Sequence, residues 1–74
     1  NPATVFPLSL KRPGRVLLTV HDLMGREAAR VLDRTLSAGN HEIPWQPGDL
    51  PGGIYFARLQ KEGQVSVKKC VLIK

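Results

Sequence analysis

The sequence predicts an all-β sandwich or barrel, on two observations. Turn signals recur roughly every 8–14 residues, the spacing of short antiparallel strands. Between them, residues alternate between apolar and polar with a period of two, as in half-buried strands. The turns fall at KRPG (11–14), LMG (23–25), SAGN (37–40), QPGDLPGG (46–53) and KEG (61–63).

The segments between these turns take strands in order. In RVLLTVHD (15–22), Val16, Leu18 and Val20 share one face, and Leu17, Thr19 and His21 the other. In HEIPWQ (41–46), His41, Ile43 and Trp45 align; Pro44 lacks a ladder donor, which places this strand at an edge or an irregularity. In IYFARLQK (54–61), Tyr55, Ala57 and Leu59 oppose Ile54, Phe56, Arg58 and Gln60. In the tail, QVSVKKCVLIK (64–74), Val65, Val67, Lys69, Val71 and Ile73 oppose Ser66, Lys68, Cys70, Leu72 and Lys74. Its last residues are apolar on both faces, as in a strand covered from both sides. GREAARVLDRTL (25–36) is ambiguous: its residues favour a helix, with Ala28, Ala29, Val31, Leu32 and Leu36 near a helical stripe, while every neighbour is β-patterned. Context favours a strand.

Seventy-four residues suffice for one domain, spanning 1–74, with a thin core. The apolar fraction of 42% and charged fraction of 23% are those of a folded chain rather than a disordered one. Eleven Lys and Arg against six Asp and Glu give a net charge of +5. The basic residues are scattered and no aromatic residues interleave with them, so a nucleic-acid partner is not expected. One cysteine, Cys70, excludes an intrachain disulfide and a cysteine-based zinc site, and reads as a small hydrophobe. No apolar run is long enough for a transmembrane helix. The chain starts at Asn1 rather than Met, as a fragment or processed piece would.

Little in the sequence suggests catalysis. His21 and His41 have no metal-ligand spacing to Cys or carboxylates, so neither a metal nor another cofactor is expected. His21 reads as a partly exposed surface residue and His41 as packing at a turn. Ser9, Ser37 and Ser66 lack the strand–turn–helix setting of a nucleophile elbow. Asp22, Asp33 and Asp49 fall near turns, where Asp bonds backbone N–H groups. Pro51-Gly52-Gly53 could suggest a phosphate loop, but no helix and no Lys-Ser/Thr follow it. Gly52 and Gly53 more simply supply positive φ at a turn that launches a strand, and Gly25 and Gly39 mark other structural turns.

VLLTVHDLMGREAARVL (16–32), LSAGNHEIPW (36–45), DLPGGIYFARL (49–59) and KKCVLIK (68–74) resemble, in order and spacing, the type A C-terminal sorting domains of the type IX secretion system. These are close in pattern to the Ig-like domain of flagellar hook-capping proteins. The resemblance implies an Ig-like β-sandwich of about seven short, mainly antiparallel strands, with REAARVL as a strand. It implies a non-catalytic C-terminal sorting and anchoring domain that directs a larger protein, N-terminal to it, through the outer membrane to the cell surface or medium. The implied partners are the outer-membrane translocon and sortase-like components of that system. The family's signal lies toward its C-terminal end, which maps onto Gly53, Ile54, Tyr55, Lys68, Lys69, Val71, Leu72, Ile73 and Lys74. His21 stands where the family usually has Tyr, Gln46-Pro47 where it has Asp-Gly, and Cys70 where it has Met or Val. Two other functions fit a small sandwich: a structural accessory module like the flagellar relative, and carbohydrate binding through Trp45, Tyr55 and Phe56. Tyr55 and Phe56 point to opposite faces, which argues against a shared sugar platform. The lysines of the tail either offer charges to a partner or merely solvate the strand and block edge pairing.

Overall fold

The computed structural model describes residues 4–73 and is all-β, with six strands and no helix among those residues. The strands are β1 (Thr4–Leu10), β2 (Gly14–His21), β3 (Glu27–Leu36), β4 (Gly39–Trp45), β5 (Gly53–Lys61) and β6 (Gln64–Leu72). They form two antiparallel sheets, β1-β4 and β3-β2-β5-β6, with the smaller laid over one face of the larger. The sandwich therefore has six strands rather than about seven. Each expected turn separates two of them, and within 25–36 the residues Glu27–Leu36 form a strand that follows a bend at Gly25.

β1 is the one strand that the sequence reading does not assign separately. Its alternation is nevertheless clear: Leu8 and Leu10 are buried and Phe6 half-buried, while Val5, Pro7 and Ser9 face solvent. In the β1–β4 ladder Val5 pairs with Pro44 and Pro7 with Glu42. Both prolines thus sit at positions of one parity, and the ladder asks neither for a donor. This is the edge placement expected for Pro44.

β3 departs from regular alternation. Leu18 faces Leu32 and Thr19 faces Arg30, so Val31 is an extra residue; likewise Val20 faces Ala29 and His21 faces Glu27, so Ala28 is extra. Two β-bulges therefore bend this edge strand.

The core lies between the sheets. Leu8, Leu10 and Ile43 from the small sheet pack with Val16, Leu18, Leu36 and Ala57 from the large one. Toward the other end Val20, Tyr55 and Leu72 are joined by Phe6, Trp45, Leu50 and Cys70. Among the described residues nothing covers the far face of the large sheet, and this corrects one expectation about the tail. Leu72 is buried, but Val71 is 56% and Ile73 83% exposed, so the strand is covered on its inner face only.

Polar residues secure the turns. Asp22 Oδ1 accepts the Met24 and Arg26 N–H groups at 2.9 and 3.0 Å, as expected of an Asp at a turn. Asp33 differs: it lies within β3 and accepts Arg15 Nη2 at 2.6 Å and Arg30 Nη1 at 3.3 Å. An alternating strand position places its carboxylate beside Arg15 on the neighbouring strand, so side-chain pairing replaces turn capping. Glu62 accepts the Lys11 N–H at 3.0 Å, and Lys61 Nζ donates to the Ser9 carbonyl at 2.8 Å. These two bonds tie the β5–β6 turn to the β1–β2 connection.

Three carboxylates are held below the usual range by these contacts. The Arg15 hydrogen bond is the main cause for Asp33, and the Lys11 N–H for Glu62. For Asp22, partial desolvation pushes upward, but the bonds from Arg26 and Met24 together outweigh it. A depressed folded pKa adds stability that is present above the unfolded pKa and lost as pH falls through the folded one. The thermal midpoint is therefore expected to stay level from about pH 7 to about pH 5 and to fall below about pH 4. Circular-dichroism melts test this; a midpoint that rises on acidification would contradict it, and Asp33→Asn should flatten the decline.

Candidate recognition surface

The C-terminal hairpin begins at the segment 46–52. Pro51 and Gly52 are exposed, and the positive φ falls on Gly53, at 149°. An L side chain rarely adopts that conformation, so a glycine is needed where the chain turns into β5. Gly25 and Gly39, with φ of 82° and 119°, occupy the turns into β3 and β4. Tyr55, two residues into β5, is 7% exposed, and its hydroxyl donates to the Pro51 carbonyl at 2.7 Å. This clasp fixes the angle at which the chain enters the sheet, as the tyrosine corner does in Ig-like sandwiches. Ile54, between Gly53 and Tyr55, is thereby turned to the outer face and is 39% exposed.

The hairpin closes through Glu62 and Gly63, both with positive φ (51° and 73°), a type I′ turn. Its register pairs Ile54 with Val71, Phe56 with Lys69, Arg58 with Val67 and Gln60 with Val65. All eight side chains point to the uncovered outer face. The surface is an apolar band, with Val65, Val67 and Val71 all more than half exposed, interrupted by Arg58 and Lys69. Lys68 is on the opposite face, opposite Ala57, at the rim of a groove of about 340 Å³ between β6 and β1. Phe6, Leu8, Leu18, Leu59 and Cys70 contribute to that groove.

Of the residues singled out in sequence, Gly53, Ile54, Lys68, Lys69, Val71 and Ile73 are exposed on or beside this hairpin. Tyr55 and Leu72 are in the core beneath it. Lys74 lies outside the described residues. Val65, Val67 and Arg58 complete the surface; the alternation placed them on this face, but only the hairpin register makes them its neighbours.

Both histidines are engaged in the scaffold. His21 Nε2 is 2.9 Å from Thr19 Oγ1 and its Nδ1 3.3 Å from the Gly25 carbonyl, so the ring braces the β2–β3 turn. His41 Nε2 is 2.7 Å from the Ser37 carbonyl, at the turn into β4. Among the described residues no group of three His, Cys, Asp or Glu side chains is placed to hold a metal ion. The aromatic residues do not share a face: Trp45 packs on Phe6 with ring centroids 6.1 Å apart, Tyr55 is buried, and Phe56 is on the outer face.

The family model described as the secretion system C-terminal sorting domain matches residues 1–74. No curated protein and no solved structure matches the chain. That family is one of sorting domains rather than catalytic ones, and its members direct type IX secretion substrates toward the cell surface or extracellular space. The full-length match and the all-β sandwich agree, and the chain belongs to the secretion system C-terminal sorting domain family.

Proposed function

We propose that residues 1–74 form a single sorting domain read at its β5–β6 hairpin by translocon and sortase-like components of the type IX system. The protein that precedes the domain is carried across the outer membrane and anchored at the cell surface. Ile54, Lys68, Lys69, Val71 and Ile73, with Lys74, offer the contacts. Gly53, Tyr55 and Leu72 hold those contacts in place from within the turn and the core. One observation carries this reading: Ile54, Lys69 and Val71, which the resemblance maps to the signal, lie with Val65 and Val67 on an exposed apolar and basic hairpin face. Soluble domains seldom leave such a band uncovered unless something docks on it.

The test is a fluorescent reporter fused ahead of residues 1–74 in a bacterium that has the system. Deleting 68–74 should reduce export at least tenfold. Because the deletion also removes buried Leu72, the double variant Lys68→Glu/Lys69→Glu is run beside it. Both side chains are exposed, so this variant should fold normally and still lose most export. Full export by both variants would sink the assignment of the signal to the tail.

A further inference from the structure

Every sheet of an open sandwich has two free edges, and a free edge is a template for another strand unless it is blunted. Three of the four edges here are blunted. Pro7 and Pro44 occupy positions whose backbone nitrogens face away from the β1–β4 ladder, so each interrupts the row of donors on its free edge. β3 carries two bulges and presents Glu27, Arg30, Asp33 and Arg34. β6 is different: nine residues with neither proline nor glycine, paired with β5 in unbroken register.

The hairpin turn fixes which groups β6 leaves free. A two-residue type I′ turn closes on a hydrogen-bonded pair, here Lys61 and Gln64, and bonded and non-bonded pairs then alternate along the ladder. The N–H and C=O groups of Val65, Val67, Lys69 and Val71 therefore point away from β5 to the open side. A strand laid there would bond to all four residues, and its inward side chains would cover the apolar groove beside β1.

Charge selects the occupant. The described ion pairs join Arg15, Arg26, Arg30 and Lys61 to Asp22, Glu27, Asp33 and Glu62, and none involves Arg58, Lys68 or Lys69. A second copy of this chain added at β6 would bring Lys68 and Lys69 against their equivalents and pair two molecules of charge +5. A strand with carboxylates on its outer side meets complementary charge from Lys69, and its apolar side meets the groove that Lys68 rims.

We propose that β6 is a strand-addition edge that accepts an extended segment of a partner protein, apolar on its groove-facing side and carrying carboxylates on its outer side, against Lys69. The inference rests on the hairpin being the recognised element and specifies how it is recognised: by a main-chain ladder, with Lys69 as the filter.

Amide exchange followed by NMR on the 74-residue chain tests this, with a terminally blocked nine-residue peptide of alternating valine and glutamate as the probe. Saturating peptide should slow exchange at Val65, Val67, Lys69 and Val71 at least tenfold. The amides of Ser66, Lys68 and Cys70, already bonded to β5, should change little. A lysine–valine peptide of equal length should have no effect. Val67→Pro removes one outward N–H without touching the β5 ladder and should abolish the protection; Val71→Pro serves if Val67→Pro fails to fold. Unchanged exchange at these four amides, or protection that persists in the folded proline variant, overturns the proposal. The reporter assay separates the two readings. Export lost on deleting 68–74 but intact in Val67→Pro leaves the sorting role standing and removes strand addition. Export intact in both removes the sorting role of the tail itself.

Discussion

Leu18→Ala is expected to destabilise the fold by about 3 kcal/mol and to lower its thermal midpoint by on the order of 15 °C. Leu18 is 2% exposed on β2, a strand flanked on both sides, with Leu32 and Leu59 as its cross-strand neighbours. Its side chain fills the space between the sheets beside Leu8, Ile43 and Ala57. Truncation leaves a void that two hydrogen-bonded sheets cannot easily close, so the loss includes both transfer and cavity contributions. A domain of this size has on the order of 4–11 kcal/mol in all, which makes the change a large fraction of the total. Val67→Ala, at a position 60% exposed on the outer face, should cost less than about 0.5 kcal/mol. Urea unfolding of the two variants measures the contrast. Equal losses would mean that the uncovered face of the large sheet is packed in solution.

The residues that set this contrast were legible in the sequence to different degrees. Val16, Leu18 and Val20 follow a two-residue period bounded by glycine- and proline-containing turns, and nothing competes with the strand reading. β3 was not legible locally, and its bulges explain why. Each extra residue, Ala28 and Val31, adds an apolar neighbour to Ala29 and Leu32, and the resulting doublets imitate a helical stripe. Pairing with β2, a tertiary effect, overrides the helix propensity of Ala, Arg and Leu. The tail failed in the opposite sense. Alternating valines read the same whether a second layer covers them or not, and coverage depends on where the other strands end. The site shares this limit: the turn at Gly53 and the lysines were visible one by one, whereas the surface formed with Arg58, Val65 and Val67 required the β5–β6 register.

Tyr55 links fold to recognition, and two substitutions separate its contributions. Tyr55→Ala removes a ring that packs with Val20 and Leu72 and should cost about 3–5 kcal/mol, enough to unfold much of the population. Tyr55→Phe keeps the ring and removes only the 2.7 Å bond to the Pro51 carbonyl, for about 1 kcal/mol. With 7% of the residue exposed, the hydroxyl is turned toward the 46–52 segment and is spent on Pro51. Its effect on sorting is therefore expected to pass through the entry angle of β5 and the placement of Ile54. In the reporter assay, Tyr55→Phe should export as the parent does at temperatures well below its own melting midpoint, and should fail only as that midpoint is approached. Tyr55→Ala should fail throughout, and Ile54→Ser should lose export while melting within a few degrees of the parent. A folded Tyr55→Phe that is not exported at low temperature would place the hydroxyl in direct contact with the machinery. Export by a folded Ile54→Ser at the parent's level would instead remove Ile54 from the recognised face.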